Sequence, residues 1–539
     1  MPKLQSGAMA ISLLRFPMLV SLALGSVLCA QAQRPAPVPT PKVSARAMQD
    51  LGARLATRIN MVRLQDPRAQ HAIWGISVVD LATSASLYAE NADKLFQPAS
   101  NTKLFTTATA LALIGAEYKF VTTVESENPP DNLGRIAGDL VLVGRGDPNL
   151  SGRVLPYARR TERLTPHTRF LDELVDQVAA AGVKVIDGDI VGDDSYFIYE
   201  RYGEGWAQDD LMWDYGAPVS ALTVNDNLLF ASIKPGERAG DQALLTLDPY
   251  VNYYAVRNLV TTTAASRVRN IGILREPGSL DLTFWGTIPI GDLGDDEALA
   301  IEDPASANAE FFRTLLEQRG IVVHGKSRAR HSQPWQYTPP QINQPLVAPN
   351  PPPPARVILA QHQSASLIED LRVINKVSQN LHVEILLRLL GKLHGVSGSL
   401  SGGLDAEKKF LTEQVQIDPA EFALHDGSGL SRSGLATPHA FTQLLRYASA
   451  QPWAAQFRDT LPIAAEDGSL STRFKGTFAA DHVEAKTGQL GEVNSLSGYG
   501  RTRHGHNVAF SIIVNHHTLG NNRARQMIDD IVNAILEEN

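Results

Sequence analysis

Strand patterning occurs at both ends of this chain, and a long stretch of different character lies between. Residues 71–80 and 84–88 alternate apolar and polar side chains around Asp80-Leu81-Ala82-Thr83, the pattern of a β-hairpin. Residues 482–489, 493–502 and 506–516 read as three more strands in antiparallel succession. A helical pattern over residues 45–62 precedes the first set, and an amphipathic one over 521–538 follows the second. Early and late segments together supply one antiparallel sheet flanked by the two terminal helices. The expected fold class is α+β, a single domain interrupted by a long insertion.

The insertion has its own texture. Residues 135–143 are strand-like, 167–181 helical, and 244–289 almost wholly β-patterned. Nine prolines in the 22 residues 333–354 predict an exposed tether leading back into the first domain. The expected division is 33–124 with 355–539 for the interrupted domain, and 125–235 with 296–332 for an inserted domain. Residues 236–295 would form a nested β-rich domain. A chain of 539 residues, 43% hydrophobic and 20% charged, has the mass for such cores and is not a disordered polymer. Its net charge of −8 offers no electrostatic grip on nucleic acid or anionic lipid.

The first 32 residues read as a secretory signal peptide. Lys3 and Arg15 are their only charges, an apolar run covers 16–30, and Ala30-Gln31-Ala32 makes a small-x-small cleavage site. Cys29, the only cysteine, lies inside this segment. The processed chain would be exported, periplasmic or otherwise extracytoplasmic, without disulfide, metal-thiolate or cysteine-nucleophile chemistry.

Three short motifs carry chemistry. Ser100 and Lys103 open an Ala/Leu/Thr helical segment, and the i, i+3 spacing puts the amine beside the hydroxyl. A serine attacks well only when a neighbouring base takes its proton, and lysine can do so once burial lowers its pKa. Lys486-Thr487-Gly488 lies in a predicted strand, where a glycine lets a substrate backbone approach and the cation and hydroxyl can meet a carboxylate. Ser378-Gln379-Asn380 precedes a strong helix, with a hydroxyl to relay a proton and an amide to hold a carbonyl or Lys103. There is no HExxH zinc site, GxSxG elbow or other metal or cofactor motif.

In the order SxxK, SxN, KTG these motifs resemble those of penicillin-recognising serine acyl-transferases. The segments GDLVLVG (138–144), GDDSYF (192–197), PVSALTVNDN (218–227) and HDGSGLSR (425–432) are similar to class C low-molecular-mass penicillin-binding proteins, the D-Ala-D-Ala carboxypeptidase/endopeptidase family. The motif spacings, 378 − 100 = 278 and 486 − 378 = 108 residues, match a family whose insertion falls between SxxK and SxN.

The resemblance implies a serine β-lactamase/DD-peptidase-like catalytic domain. It implies Ser100 as acyl-forming nucleophile, Lys103 as its base, and Ser378, Asn380, Lys486, Thr487 and Gly488 around the substrate. The oxyanion donors would be the N–H groups of Ser100 and Gln489, the latter a departure from the Ser or Thr usual after the KTG glycine. Asp210, Tyr215 and Arg432 match the family's clamp on a stem-peptide amino group. Peptidoglycan stem peptides and β-lactams are the implied partners, with no nucleic acid, metal or cofactor. The alternatives are a serine β-lactamase-like hydrolase and a catalytically vestigial cell-wall scaffold.

Overall fold

The computed structural model describes residues 45–159, 166–250, 252–336 and 356–538. The expected signal peptide and most of the proline-rich tether lie outside them. Strands β1 (Ile73–Asp80) and β2 (Ser86–Glu90) join β3 (Val483–Leu490), β4 (Val493–Arg501) and β5 (Asn507–Asn515) in one sheet of order β3-β4-β5-β1-β2. Every neighbouring pair is antiparallel, with Ser77 opposite Ser511 and Ser511 opposite Ser497.

Alternation along these strands sends side chains to two cores. On one face Ile76, Val78, Ile512 and Val514 meet Leu55 and Ile59 of α1 (Ala45–Leu64) and Ile531 and Ile535 of the last helix, Asn521–Glu538. On the other, Ile513, Ala509 and Tyr499 join a helical core. At its centre lies α2 (Lys103–Leu113), buried from Lys103 to Leu111, whose small Ala and Thr residues admit neighbours on all sides. Phe105 stacks on Phe441, with ring centroids 4.6 Å apart. Around α2 pack α3 (Leu367–Lys376), α4 (Asn380–His394) and α5 (Leu400–Glu413).

The chain leaves this domain along Lys119–Ser126 and returns along Val357–Ser366, two strands paired antiparallel with Ser126 opposite Val357. Both belong to a five-stranded sheet with Leu140–Val143, Ile190–Ile198 and Ser327–Ser332. Helices Arg169–Ala180 and Pro304–Gln318 supply Leu174, Val178, Phe312 and Leu316 to its core. Farther out, Ala255–Thr263, Asp281–Pro289 and Asn270–Leu274 form a three-stranded sheet. Leu228–Lys234 pairs with both Leu244–Asp248 and Asp295–Ala300, so hydrogen bonding crosses residue 236, where the sequence suggests that a nested domain starts.

Residues 135–143, which read as one strand, are two. Arg135–Ile136 and Leu140–Val143 lie in different sheets, and the Asp139 carboxylate between them accepts from the Asp189 N–H (2.8 Å) instead of continuing the ladder. Among the described residues no helix is long and apolar enough to cross a membrane.

Candidate active site

Ser100 lies in a single 3₁₀ turn, Ala99–Thr102, and Lys103 is the first residue of α2. The turn is entered through Ala99 at φ +49°, a left-handed conformation that costs a non-glycine residue energy and recurs at functional sites. Lys103 Nζ donates to Ser100 Oγ (2.9 Å), Asn380 Oδ1 (2.6 Å) and the Ser428 carbonyl (2.7 Å). These three acceptors use all the donors of an ammonium. Burial lowers the Lys103 pKa to about 7, against the opposing pull of Asp426 and Glu384.

Both of those carboxylates shape the loop that presents Ser428. Glu384 of α4 is fully buried, accepts from Arg388 (2.6 Å), and takes the N–H groups of Gly427 (2.9 Å) and Ser428 (2.8 Å) on its other oxygen. Asp426 accepts from the N–H groups of Gly429 and Ser431 and from the Trp206 indole. Gly429 holds φ +75°, and a Cβ there would overlap the Ala99 carbonyl next to Ser100. The Gly-Ser-Gly turn is thus locked against the Ser100 turn.

Ser378 occupies the elbow between α3 and α4 at φ +62°, with its hydroxyl 2.9 Å from Lys486 Nζ. The Lys486 ammonium is driven well below its ordinary pKa by burial and then by the charge of Lys103. Behind the elbow, Gln379 caps α4 through the Leu381 N–H (2.8 Å) and donates to Asp226 (2.9 Å). Asp226 and its two neighbours all adopt left-handed φ, 52–56°. His382 is fully buried between Asp370 (2.7 Å) and Asp226 (3.1 Å). Burial disfavours its imidazolium, but Asp226 and Asp370 outweigh that and lift its pKa to about 9. Arg153 also pairs with Asp226 (2.6 Å), so a charged cluster ties the elbow to the insertion.

β3 is an edge strand, and residues 462–464 cover only its beginning, through Ala464–Val483 and Pro462–Ala485 backbone bonds. A Cβ at Gly488 would overlap the Ser495 hydroxyl and lie 2.8 Å from the Pro98 carbonyl, so only glycine fits where β3 passes the Ser100 turn. The Thr487 and Ser469 hydroxyls are 2.7 Å apart. Gln489 is exposed, and its side-chain oxygen accepts from Arg525 of the last helix. A cavity of about 270 Å³ runs from Ser100 and Ser378 past Thr487 and Gln489 to Arg473 and Arg525.

Asp210, Tyr215 and Arg432 also come together. The Tyr215 hydroxyl donates to Asp210 (3.3 Å), and the Arg432 guanidinium lies 3.5 Å from the other oxygen. Burial and Asp210 raise the Tyr215 phenol to about 12, so it stays a donor. Asn380 joins this cluster to the Ser100–Lys103 pair, because its amide donates to the Tyr215 carbonyl (2.8 Å) while its oxygen faces Lys103.

Of the eleven residues singled out in the sequence, Ser100, Ser378, Thr487, Gly488 and Gln489 line the cavity, Lys103 and Lys486 are buried beneath it, and Asp210, Tyr215 and Arg432 are joined to it through Asn380. Sequence reasoning assigned no role to Asp226, Glu384, Asp426 or Ser428, although three of them lie in segments quoted for the resemblance. Ser469, Arg473 and Arg525 carry no motif at all.

Residues 56–537 match the profile described as the D-Ala-D-Ala carboxypeptidase 3 (S13) family. The chain belongs to that family. It is 33% identical over 467 residues to the D-alanyl-D-alanine carboxypeptidase of Actinomadura sp. (strain R39), covering 84% of this chain and 80% of that one. To the D-alanyl-D-alanine carboxypeptidase DacB of Haemophilus influenzae it is 24% identical, with 80% and 82% covered. The crystal structure of penicillin binding protein 4 (dacB) from H. influenzae superposes with a TM-score of 0.73 at 23% identity, over 89% of this chain and 99% of that one. The S13 assignment makes the protein a DD-peptidase-class enzyme and a low-molecular-mass penicillin-binding protein, with the expected α+β fold.

Proposed function

We propose that this S13 enzyme is exported and hydrolyses D-Ala-D-Ala or D-Ala cross-links of peptidoglycan stem peptides through an acyl-enzyme on Ser100, and that penicillins acylate the same hydroxyl. The observation that carries the reading is the buried Lys103 amine, 2.9 Å from Ser100 Oγ with a pKa of about 7. A lysine in that state accepts a proton at neutral pH. Ser100 Oγ attacks the scissile carbonyl and its proton passes to Lys103 Nζ. The oxyanion is held by the N–H groups of Ser100 and Gln489. On collapse the C–N bond breaks, and the leaving amine takes a proton through Ser378, whose hydroxyl is held by Lys486. Water then repeats the sequence on the ester, releasing the acid and freeing Ser100. The open edge of β3 suits an extended substrate backbone, and Thr487 with Ser469 offers two hydroxyls for its carboxylate. Asp210, Tyr215 and Arg432 of the proposed inserted domain and its rim would select the acyl-side chain. A β-lactam complex is known for the H. influenzae protein of the same fold.

The test is covalent labelling by a fluorescent penicillin together with D-Ala release from a D-Ala-D-Ala peptide. Wild-type protein should do both, with the adduct on the Ser100 peptide, and Ser100→Ala should do neither while keeping its fold. An adduct elsewhere, or penicillin turnover without D-Ala release, would overturn the assignment.

A further inference from the structure

A buried ion pair ties two walls of the cavity together, and the reaction written above makes no use of it. Lys376, the last residue of α3, lies two residues before Ser378. Its ammonium donates to Asp467 Oδ2 (2.5 Å) and to the Leu461 carbonyl (2.9 Å), and the two side chains are 4% and 6% exposed. The other Asp467 oxygen accepts from the Ile463 N–H (2.8 Å). Gly468 follows, pressed so closely on the Lys376 carbonyl that a Cβ would overlap it. The next residue is Ser469, whose hydroxyl meets that of Thr487. One amine thus joins the backbone that carries Ser378 to the backbone that carries Ser469.

The two walls are not held equally. Behind Ser378 stand the His382 clamp, the Gln379–Asp226 bond and Lys486. Residues 465–470 close on themselves through Ala465–Leu470 and Leu470–Asp467 backbone bonds. Their side chains reach outward to Thr487 through Ser469, to Arg159 through Glu466 (2.8 Å), and to Lys376 through Asp467. Of these three the Lys376 pair alone is buried, and separating it would strand a charge away from water. The insertion covers it, with the Tyr157 ring centre 5.4 Å from Lys376 Nζ and the Tyr157 N–H donating to Glu369 of α3 (3.1 Å). We propose that Lys376 is a positioning residue for the leaving group: through Asp467 it fixes Ser469 opposite Thr487, so that the two hydroxyls are already in place when the carboxylate of the departing D-Ala arrives. Groups fixed beforehand need not be ordered on binding. The inference rests on the serine-peptidase reading above and adds to it a residue that touches neither substrate nor the reacting atoms.

The experiment compares two peptides with one acyl half, one ending in D-Ala-D-Ala and the other in its C-terminal amide, which lacks the carboxylate. Wild-type enzyme should show kcat/KM about tenfold higher for the acid, the scale of one charge-assisted contact. The double variant Lys376→Met/Asp467→Asn removes both charges, so neither is left stranded. In it the ratio should fall to about two or less, mainly through KM for the acid, while kcat/KM for the amide stays within about twofold of wild type. Lys376→Arg keeps the charge and should keep most of the ratio. Where the double variant does not fold, Lys376→Gln carries the same comparison. A ratio of one in wild-type enzyme that still releases D-Ala overturns the positioning role and leaves the peptidase reading intact. So does an unchanged ratio in a folded variant, or an equal loss on both peptides. Failure to cleave either peptide, with no penicillin adduct on Ser100, overturns the peptidase reading itself.

Discussion

Lys103 has no contact with bulk water, and its three acceptors, Ser100, Asn380 and the Ser428 carbonyl, come from three separate parts of the chain. Burial lowers its pKa to about 7, so the neutral base prevails above that pH and the ammonium below it. Penicillin acylation should therefore rise between pH 5 and 8 with a midpoint near 7, measured as single-turnover labelling. A rate flat across that range would remove Lys103 as the base. Asp210 makes a second residue-scale case. Its carboxylate is already half-answered by Arg432 and Tyr215, so an incoming ammonium would meet a partly neutralised site. Asp210→Ala should slow acylation by an amino-bearing stem-peptide mimic about tenfold and spare penicillins without that amine. Equal losses for both ligands would make Asp210 a fold residue. Ser100, Lys103 and Lys486 were legible as neighbours because their short motifs keep particular side chains at fixed local spacing, and the structure brings them to one place. Glu384 was not, because nothing local marks a carboxylate whose partner Ser428 is 44 residues away; Asp426 was not, because a carboxylate that holds its own turn through Gly429 and Ser431 looks like any loop aspartate.

At the scale of elements, the elbow between α3 and α4 is held by His382, clamped between Asp370 of α3 and Asp226 of the insertion. The folded protein raises the His382 pKa from 6.5 to about 9. This contribution to stability is fully present below pH 6.5 and is lost as pH rises through about 9. Its size is roughly 3 kcal/mol. Denaturant unfolding of wild type and His382→Gln should differ most below pH 6.5, and the gap should narrow toward pH 9.5. A gap constant across that range would mean that His382 matters only by filling space. The elements themselves were mostly legible. β1, β3, β4 and β5 were recognisable as strands because their side chains go to two different faces of one sheet, and α2 declared itself by its Ala/Leu/Thr run. Residues 135–143 misled because local alternation says nothing about which sheet a strand joins.

For the molecule as a whole, the insertion is not an appendage. Phe197, Val219 and Leu228 share a core with Phe105, Ile385 and Leu386 of the catalytic domain, and Asp226 completes the His382 clamp. The protein should unfold in one calorimetric transition, and deleting residues 127–356 should give insoluble protein. Two separate transitions, or a soluble deletion that labels with penicillin, would contradict this. The sheet built from both ends was legible in the sequence because its strands declare themselves there; the shared core was not, since apolar residues do not announce which neighbours they will meet. The sheet order has a further consequence, in time. β1 pairs with β5 across 508 − 80 = 428 residues at Asp80–Val508, whereas the insertion closes on itself through Ser126–Val357, a span of 231. Closing a long loop costs entropy before any contact repays it, so folding favours the shorter closure first and uses it to shorten the longer one. The Ser100 turn is among the first parts of the sheet domain to be synthesised and the last to acquire its surroundings. Until β3 and β5 arrive, a growing chain carries Ser100 and Lys103 with the Lys486 side of the cleft still missing.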